Sequence, residues 1–371
     1  MTNYQTEVLV VGGGAMGSAA AWQLARRGVE VALVERFEAG HTRGASHGAS
    51  RIFRVSYPDP VYIGLAQEAQ RQWRALEDLA GVALLTVTGG VEHGRHPYLD
   101  ELADRLTATG VATSWLSPEE AAERWPGIRF DTRALFHPES GRLHADDAVA
   151  ALQLSAGKHG AAVRHEVPVT SIVVRDDDEV EVRAGEDIYR ARRVIVAAGA
   201  WAQKLLGGLV LLPQLRVTQE QPAHFAPIVA ENTWPSFGHL FDPDSPEAGA
   251  FYGGIYGLAT PGAGIKVGFH GVGPEVDPDA RDFLPEPKQL ATLQEYVRQW
   301  VPGADADVLS PISCTYTTTV DSNFVLDRHG PITVAAGFSG HGFKFVPAIG
   351  RVLADLVTGV GRPDSRFAFQ R

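Results

Sequence analysis

The segment TEVLVVGGGAMGSAAAWQLARRGVEVALVE, residues 6–35, reads as a complete βαβ unit. Residues 6–11 are a short β-branched run of the kind buried on both faces of a parallel sheet. The run stops at Gly12-Gly13-Gly14-Ala15-Met16-Gly17, and a helical pattern then carries Ala20, Leu24 and Ala25 towards Gly28. A second strand, residues 29–34, ends on Glu35. Gly12, Gly14 and Gly17 fill G-x-G-x-x-G, and each has its own task. Gly12 allows the tight turn, Gly14 lets the backbone approach a pyrophosphate, and Gly17 allows close helix–strand packing. The helix that follows offers unpaired N–H groups and a positive dipole end to phosphates. Glu35, at the usual distance of roughly 20 residues, can accept hydrogen bonds from a ribose diol. A glycine triplet alone says little. Set between a buried strand and a helix, with an acid ending the next strand, it specifies a dinucleotide. It does not distinguish NAD from FAD.

Working outward, residues 169–174, 179–182 and 188–192 alternate like a small antiparallel meander, with residues 176–179 as a charged hairpin turn. VIVAAGAW, residues 194–201, is another buried strand ending in small residues, so the nucleotide-binding sheet is completed late in the chain. Residues 81–150 are rich in polar helical segments, and Ser117-Pro118-Glu119-Glu120 reads as a helix start. From about 215 to 310 the chain alternates strand-like runs with Gly/Pro-rich loops. Near the end, small residues at 335–342 run into a helical face carrying Ile349, Leu353 and Leu356. Two interleaved domains fit this order better than two beads. A dinucleotide motif at the N-terminus, with a further sheet strand so much later, favours FAD over NAD by fold analogy.

Composition narrows the class. The 371 residues are 44% hydrophobic and 21% charged, which provides a core and excludes disorder. The formal net charge of −11 disfavours a nucleic-acid or anionic-membrane partner. One cysteine, Cys314, rules out an intramolecular disulfide or a multi-cysteine zinc site. No apolar run reaches the roughly 18 residues of a membrane span, and the first residues show no signal-peptide pattern. The expectation is a cytoplasmic enzyme. His93 and His96 read as loop residues without a metal-ligand signature, and no G-x-S-x-G elbow supports a hydrolase.

Five segments carry a more specific resemblance. They are VVGGGAMGSAAAWQLARRG near the start, SHGASRIFR at 46–54, YGLATPGAGIKVGFH at 256–270, SCTYTTTVDSNFVLD at 313–327 and AAGFSGHGFKF at 335–345. With their order and the overall length, they resemble the monomeric sarcosine oxidase / N-methyltryptophan oxidase family of flavin amine oxidases. The resemblance implies an α/β fold: a glutathione-reductase-like FAD-binding Rossmann domain interleaved with an α+β substrate domain built on an antiparallel sheet. Residues 1–80, 150–215 and 310–371 are assigned to the first, and 81–149 and 216–309 to the second. It also implies FAD attached covalently through a cysteine thioether to the 8α-methyl group, and Cys314 matches the attachment cysteine.

The same resemblance distributes roles. Arg54 and Lys344 match a clamp for the substrate carboxylate, and Tyr256, Tyr316 and His270 match pocket residues. Lys266 matches a lysine whose charge stabilises superoxide during oxygen reduction. Arg51, His47 and Ser50 match residues around the flavin ring, and Gly340 and Gly342 precede the second helix N-terminus. Spacing adds its own expectations. Cys314, Tyr316 and Thr318 share a strand face, as do Lys266 and His270, while Arg51 and Arg54 would lie on one side of a helical turn. The expected reaction is oxidation of a secondary N-methyl amino acid by O2, giving H2O2, formaldehyde and the primary amino acid. Oxidation of a cyclic imino acid or of glycine, or a non-catalytic flavin-binding subunit, are the alternatives. The expected partners are a small amino-acid substrate and O2, with the protein a monomer.

Overall fold

A computed structural model describes residues 2–362 and 364–371. Its first eight-stranded sheet grows from the N-terminal βαβ unit. Strand Asn3–Val11 pairs in parallel with Val31–Val34 on one side and with Asp187–Val196 on the other. Val31–Val34 in turn pairs in parallel with Ala162–Arg164. The inner residues Val8, Leu9, Val10 and Val11 are buried, as continuous β-branched runs in parallel sheets are. Strands Val169–Asp176 and Glu179–Ala184 form the expected meander with Asp187–Val196. One correction concerns that last strand. The runs 188–192 and 194–201 are not separate strands: one ten-residue strand ends at Val196, and Gly199–Trp201 forms a short 3-10 turn. The first half of that strand pairs with the meander and its last three residues pair in parallel with Ile332–Ala336.

Helix Ala15–Ala25 is buried almost all round because it lies between helices Ala145–Lys158 and Val346–Thr358. Gly350 makes the second contact possible, since a Cβ there would sit 2.6 Å from the backbone carbon of Ala19. Gly17 serves the packing expected of it: a Cβ would overlap the carbonyl oxygen of Gly12.

The second eight-stranded sheet runs, in spatial order, Ala304–Pro311, Ala223–Pro227, Gly264–Phe269, Gly254–Thr260, Ser236–Leu240, Gly90–Gly94, Ala134–His137 and Ser114–Leu116. It is antiparallel except where Ser236–Leu240 runs parallel to Gly90–Gly94. Its far face packs on helix Pro287–Trp300 around Phe225, Tyr296 and Val297. Helix Pro118–Arg124 begins where the sequence indicated, with a full capping box between Ser117 and Glu120.

Two smaller pairings join the layers. Arg51–Phe53, Gly141–Leu143 and Leu85–Val87 form a three-stranded sheet, and Arg216–Glu220 pairs with Cys314–Thr318. The expected domain boundaries at 149/150 and 309/310 fall inside helix Ala145–Lys158 and strand Ala304–Pro311. Arg51 lies on a strand rather than a helical turn, because its backbone is paired with Leu143. His93 is not a loop residue: it is fully buried in strand Gly90–Gly94 and stacked on His239. Among the described residues no helix is long and apolar enough to cross a membrane.

Candidate active site

A cavity of about 920 Å³ opens between the two large sheets. It begins at residues 12–16 and Glu35, passes His47, Ser50 and Arg51, and ends among Arg54, Lys266, Cys314 and Lys344. Every site residue expected from sequence lines it except Gly17, whose part is packing.

The nucleotide end is set by backbone. Gly12 has φ of +107°, and a Cβ on it would overlap the carbonyl oxygen of Ala197, so only glycine makes this turn. Glu35 is buried, and its carboxylate accepts from the N–H of Gly13 at 2.6 Å and of Phe37 at 3.0 Å. Ser46 Oγ accepts from the Ala15 N–H at 3.0 Å, at the start of the helix. A strand–glycine-turn–helix with a buried acid beside it, opening onto an elongated cavity, fits a dinucleotide.

The other end is built from charges. Arg51 donates to the carbonyls of Ser50 (2.9 Å), Ala45 (3.1 Å) and His47, fixing the 45–50 loop, and lies 4.0 Å from Cys314 Sγ. Lys266 and Arg281 also lie near Cys314. Arg281 is held by Gln219, the Arg43 carbonyl and Ser313 Oγ, the last at 2.7 Å. Lys266 is 6% exposed, and its ammonium has no hydrogen bond or ion pair among the described residues. Burial, with the neighbouring Arg51, pushes it down to about 7. Burial likewise lowers His47 to about 3 and His270 to about 4, so both are neutral near pH 7. The Nε2 of His47 is buried without a partner among the described residues, in keeping with a polar group lying beside it in the cavity. Ser50 and Thr260 share a hydroxyl–hydroxyl hydrogen bond of 2.5 Å.

Arg54 and Lys344 converge on Tyr57. The Arg54 guanidinium lies 5.4 Å from the Tyr57 ring centre, and Lys344 Nζ donates to Tyr57 Oη at 3.0 Å and to the His341 carbonyl at 2.9 Å. Burial and the nearby Arg54 hold the Lys344 ammonium well below its ordinary range. Desolvation raises Tyr57 to about 12 and Tyr316 well above an ordinary phenol, so both remain protonated donors. Tyr316 stands beside His270 with ring centres 5.1 Å apart. Gly340, at φ +75°, leaves room for that ring, since a Cβ would overlap it.

Sequence reasoning missed four polar residues. Glu92 forms an ion pair with Arg54 inside the cavity. Glu220 is buried opposite Cys314, with Thr218 and the Gly273 N–H donating to it. Arg281 secures the Cys314 surroundings, and His137 lines the cavity. A glutamate among glycines and apolar residues in GGVEHG was the signal for Glu92, because an acid inside a buried strand needs a partner. Nothing local singled out the others.

The fold and the site together define a flavoprotein oxidoreductase. The chain belongs to the FAD dependent oxidoreductase family, which matches residues 7–356, and FAD is the dinucleotide. Within that family it is 33% identical to the monomeric sarcosine oxidase of Bacillus sp. (strain NS-129), over 95% of this chain and 92% of that protein. It is 27% identical to the N-methyl-L-tryptophan oxidase of Citrobacter koseri, over 95% of each. The solved structure of NikD, an amino acid oxidase essential for nikkomycin biosynthesis, superposes with a TM-score of 0.88 at 27% identity, covering 99% of this chain and 98% of that one. L-proline dehydrogenase from P. horikoshii, 24% identical, shares the fold with a TM-score of 0.83 over 96% of this chain and 94% of that one.

Proposed function

We propose that this chain oxidises secondary N-methyl amino acids, sarcosine among them. The products are an imine, which water hydrolyses to formaldehyde and the primary amino acid, and H2O2 from O2. The observation that carries the reading is spatial. Arg54 and Lys344 converge in the same cavity as Cys314 and the unpaired amine of Lys266. Relatives named sarcosine oxidase and N-methyl-L-tryptophan oxidase support it.

When bound, the flavin accepts two electrons from the substrate C–H bond and passes them to dioxygen. Arg54 and Lys344 hold the substrate carboxylate by charge-assisted hydrogen bonds, which fixes the N-methyl group relative to the rest of the cavity. Tyr256 and Tyr316 wall the pocket as protonated phenols. Neutral His270 adds polarity without a charge that would repel a protonated amine. Lys266 supplies positive charge where dioxygen gains negative charge. Cys314, with the Arg51 guanidinium 4.0 Å from its sulfur, would hold the flavin through a thioether to its 8α carbon. The protein acts as a monomer, as the names of its relatives suggest.

A peroxide-coupled screen of N-methyl amino acids, cyclic imino acids and glycine tests the reading. N-methyl amino acids should give the highest kcat/KM, and Arg54→Gln should raise their KM by about 10- to 100-fold, the loss of one charged contact. Preference for a cyclic imino acid or glycine, or an unchanged KM, would refute it. Acid denaturation that leaves the yellow colour on the polypeptide supports the thioether; colour lost completely to the supernatant refutes it.

A further inference from the structure

Glu92 is out of place in a site that binds a carboxylate. It stands on strand Gly90–Gly94 with its side chain 9% exposed, and its Oε1 is paired with Arg54, half of the proposed clamp. Its Oε2 has no hydrogen bond among the described residues and reaches over Gly238, where a Cβ would overlap it. Glycine at 238 therefore leaves space for this carboxylate. Gly238 lies opposite both Glu92 and Tyr256, which puts Glu92 on the same sheet face as the pocket tyrosine.

Two further polar groups gather there. His137 is paired with Gly90 across the neighbouring strand, a diagonal neighbour of Glu92, and is 1% exposed, with neither ring nitrogen partnered among the described residues. Ser140 is fully buried, packs over Gly90, and its hydroxyl also lacks a partner among the described residues. All three line the cavity. Buried polar groups are rarely left unsatisfied, and a cluster of them on a cavity wall marks a place where a ligand completes the hydrogen bonding.

From this geometry we infer that Glu92, His137 and Ser140 form a second recognition subsite that takes a hydrogen-bond-donating group, an ammonium above all, on the substrate's side chain. Charge gives the sign. With a substrate carboxylate between Arg54 and Lys344, Glu92 and the substrate both draw on the Arg54 guanidinium, and the Lys344 ammonium also serves Tyr57 and the His341 carbonyl. A donor or cation against Glu92 Oε2 restores the balance; a purely apolar side chain leaves that oxygen and the His137 and Ser140 groups unpaired. A site built to bond a polar group discriminates strongly against analogues that lack it. This inference rests on the proposed oxidation of N-methyl amino acids and, among those larger than sarcosine, selects substrates with a polar side chain.

The test compares Nα-methyl-lysine with N-methylnorleucine on the holoenzyme, and in parallel titrates plain lysine against norleucine by the change in flavin absorbance. Both the kcat/KM ratio and the affinity ratio should favour the lysine compound at least tenfold. Glu92→Gln, close in shape, should lower both ratios at least fivefold, and Ser140→Ala should lower them less. A wild-type preference for norleucine, binding of neither amino acid, or ratios that Glu92→Gln leaves where they were would overturn the subsite. If neither N-methyl compound reduces the flavin, the oxidase reading fails, and the lysine-to-norleucine affinity ratio still decides the subsite.

Discussion

The two ends of the cavity are built by different physics. At the dinucleotide end, residues 12–17 and Glu35 are close in sequence, and what matters is backbone: a turn at positive φ, close packing without Cβ atoms, and a helix start. At the other end, Arg54, Lys266, Cys314 and Lys344 come from four distant segments, and what matters is charge held away from water. The first end is specified by sterics, which either permit a conformation or forbid it. The second is specified by electrostatics, which can be tuned by degrees. Substitutions at the first should therefore abolish cofactor binding outright, and those at the second should change individual steps while the protein keeps its flavin.

Gly12→Ala should have the largest effect. The added methyl meets the Ala197 backbone, which has no flexible end to yield, so the protein should be recovered with its FAD-to-protein absorbance ratio near zero. A normal flavin content would contradict the steric requirement for glycine at position 12. Lys266→Met should retain flavin and be reduced by substrate much as before. Its reoxidation by O2, followed by stopped flow, should slow by about 10² or more, the scale of losing one preorganised electrostatic stabiliser. Native reoxidation would remove the role given to that amine.

The smallest effect concerns stability and pH. Lys266 titrates near 7 when folded, against the ordinary lysine value of 10.5, so between those values the unfolded chain binds a proton that the folded chain does not. Stability should therefore rise with pH across that window. In flavin-free protein on a Cys314→Ser background, urea unfolding should show this lysine contributing about 2 kcal/mol more stability at pH 9 than at pH 7. Adding Lys266→Met should remove that increment. An identical pH slope with and without the lysine would contradict its burial as a poorly solvated amine.

How much of this is legible in sequence follows the same division. The βαβ unit, the meander and the helix start at Ser117 are readable because each depends on neighbours within a few residues. The continuous strand Asp187–Val196 reads as two runs because its two halves pair with different partners, which no local period reveals. Arg51 reads as helical beside Arg54, yet i,i+3 spacing of like residues carries no information about strand pairing. In the site, Arg54, Lys266, Cys314 and Lys344 are legible through family motifs; charge pattern alone leaves each as an ordinary surface residue or small core residue. Glu92 escapes because its partner Arg54 comes from a different segment of the chain, and Glu220 and His137 escape because nothing in their local sequence marks them as cavity-lining.

The most direct test is a crystal structure of the holoenzyme with a non-oxidisable carboxylated thioether in place of the amine. The isoalloxazine edge should be bonded to Cys314 Sγ, with the ligand carboxylate between Arg54 and Lys344 and Lys266 facing the ring. A ring remote from Cys314, with the ligand acid held elsewhere and those cations turned to solvent, would contradict that arrangement.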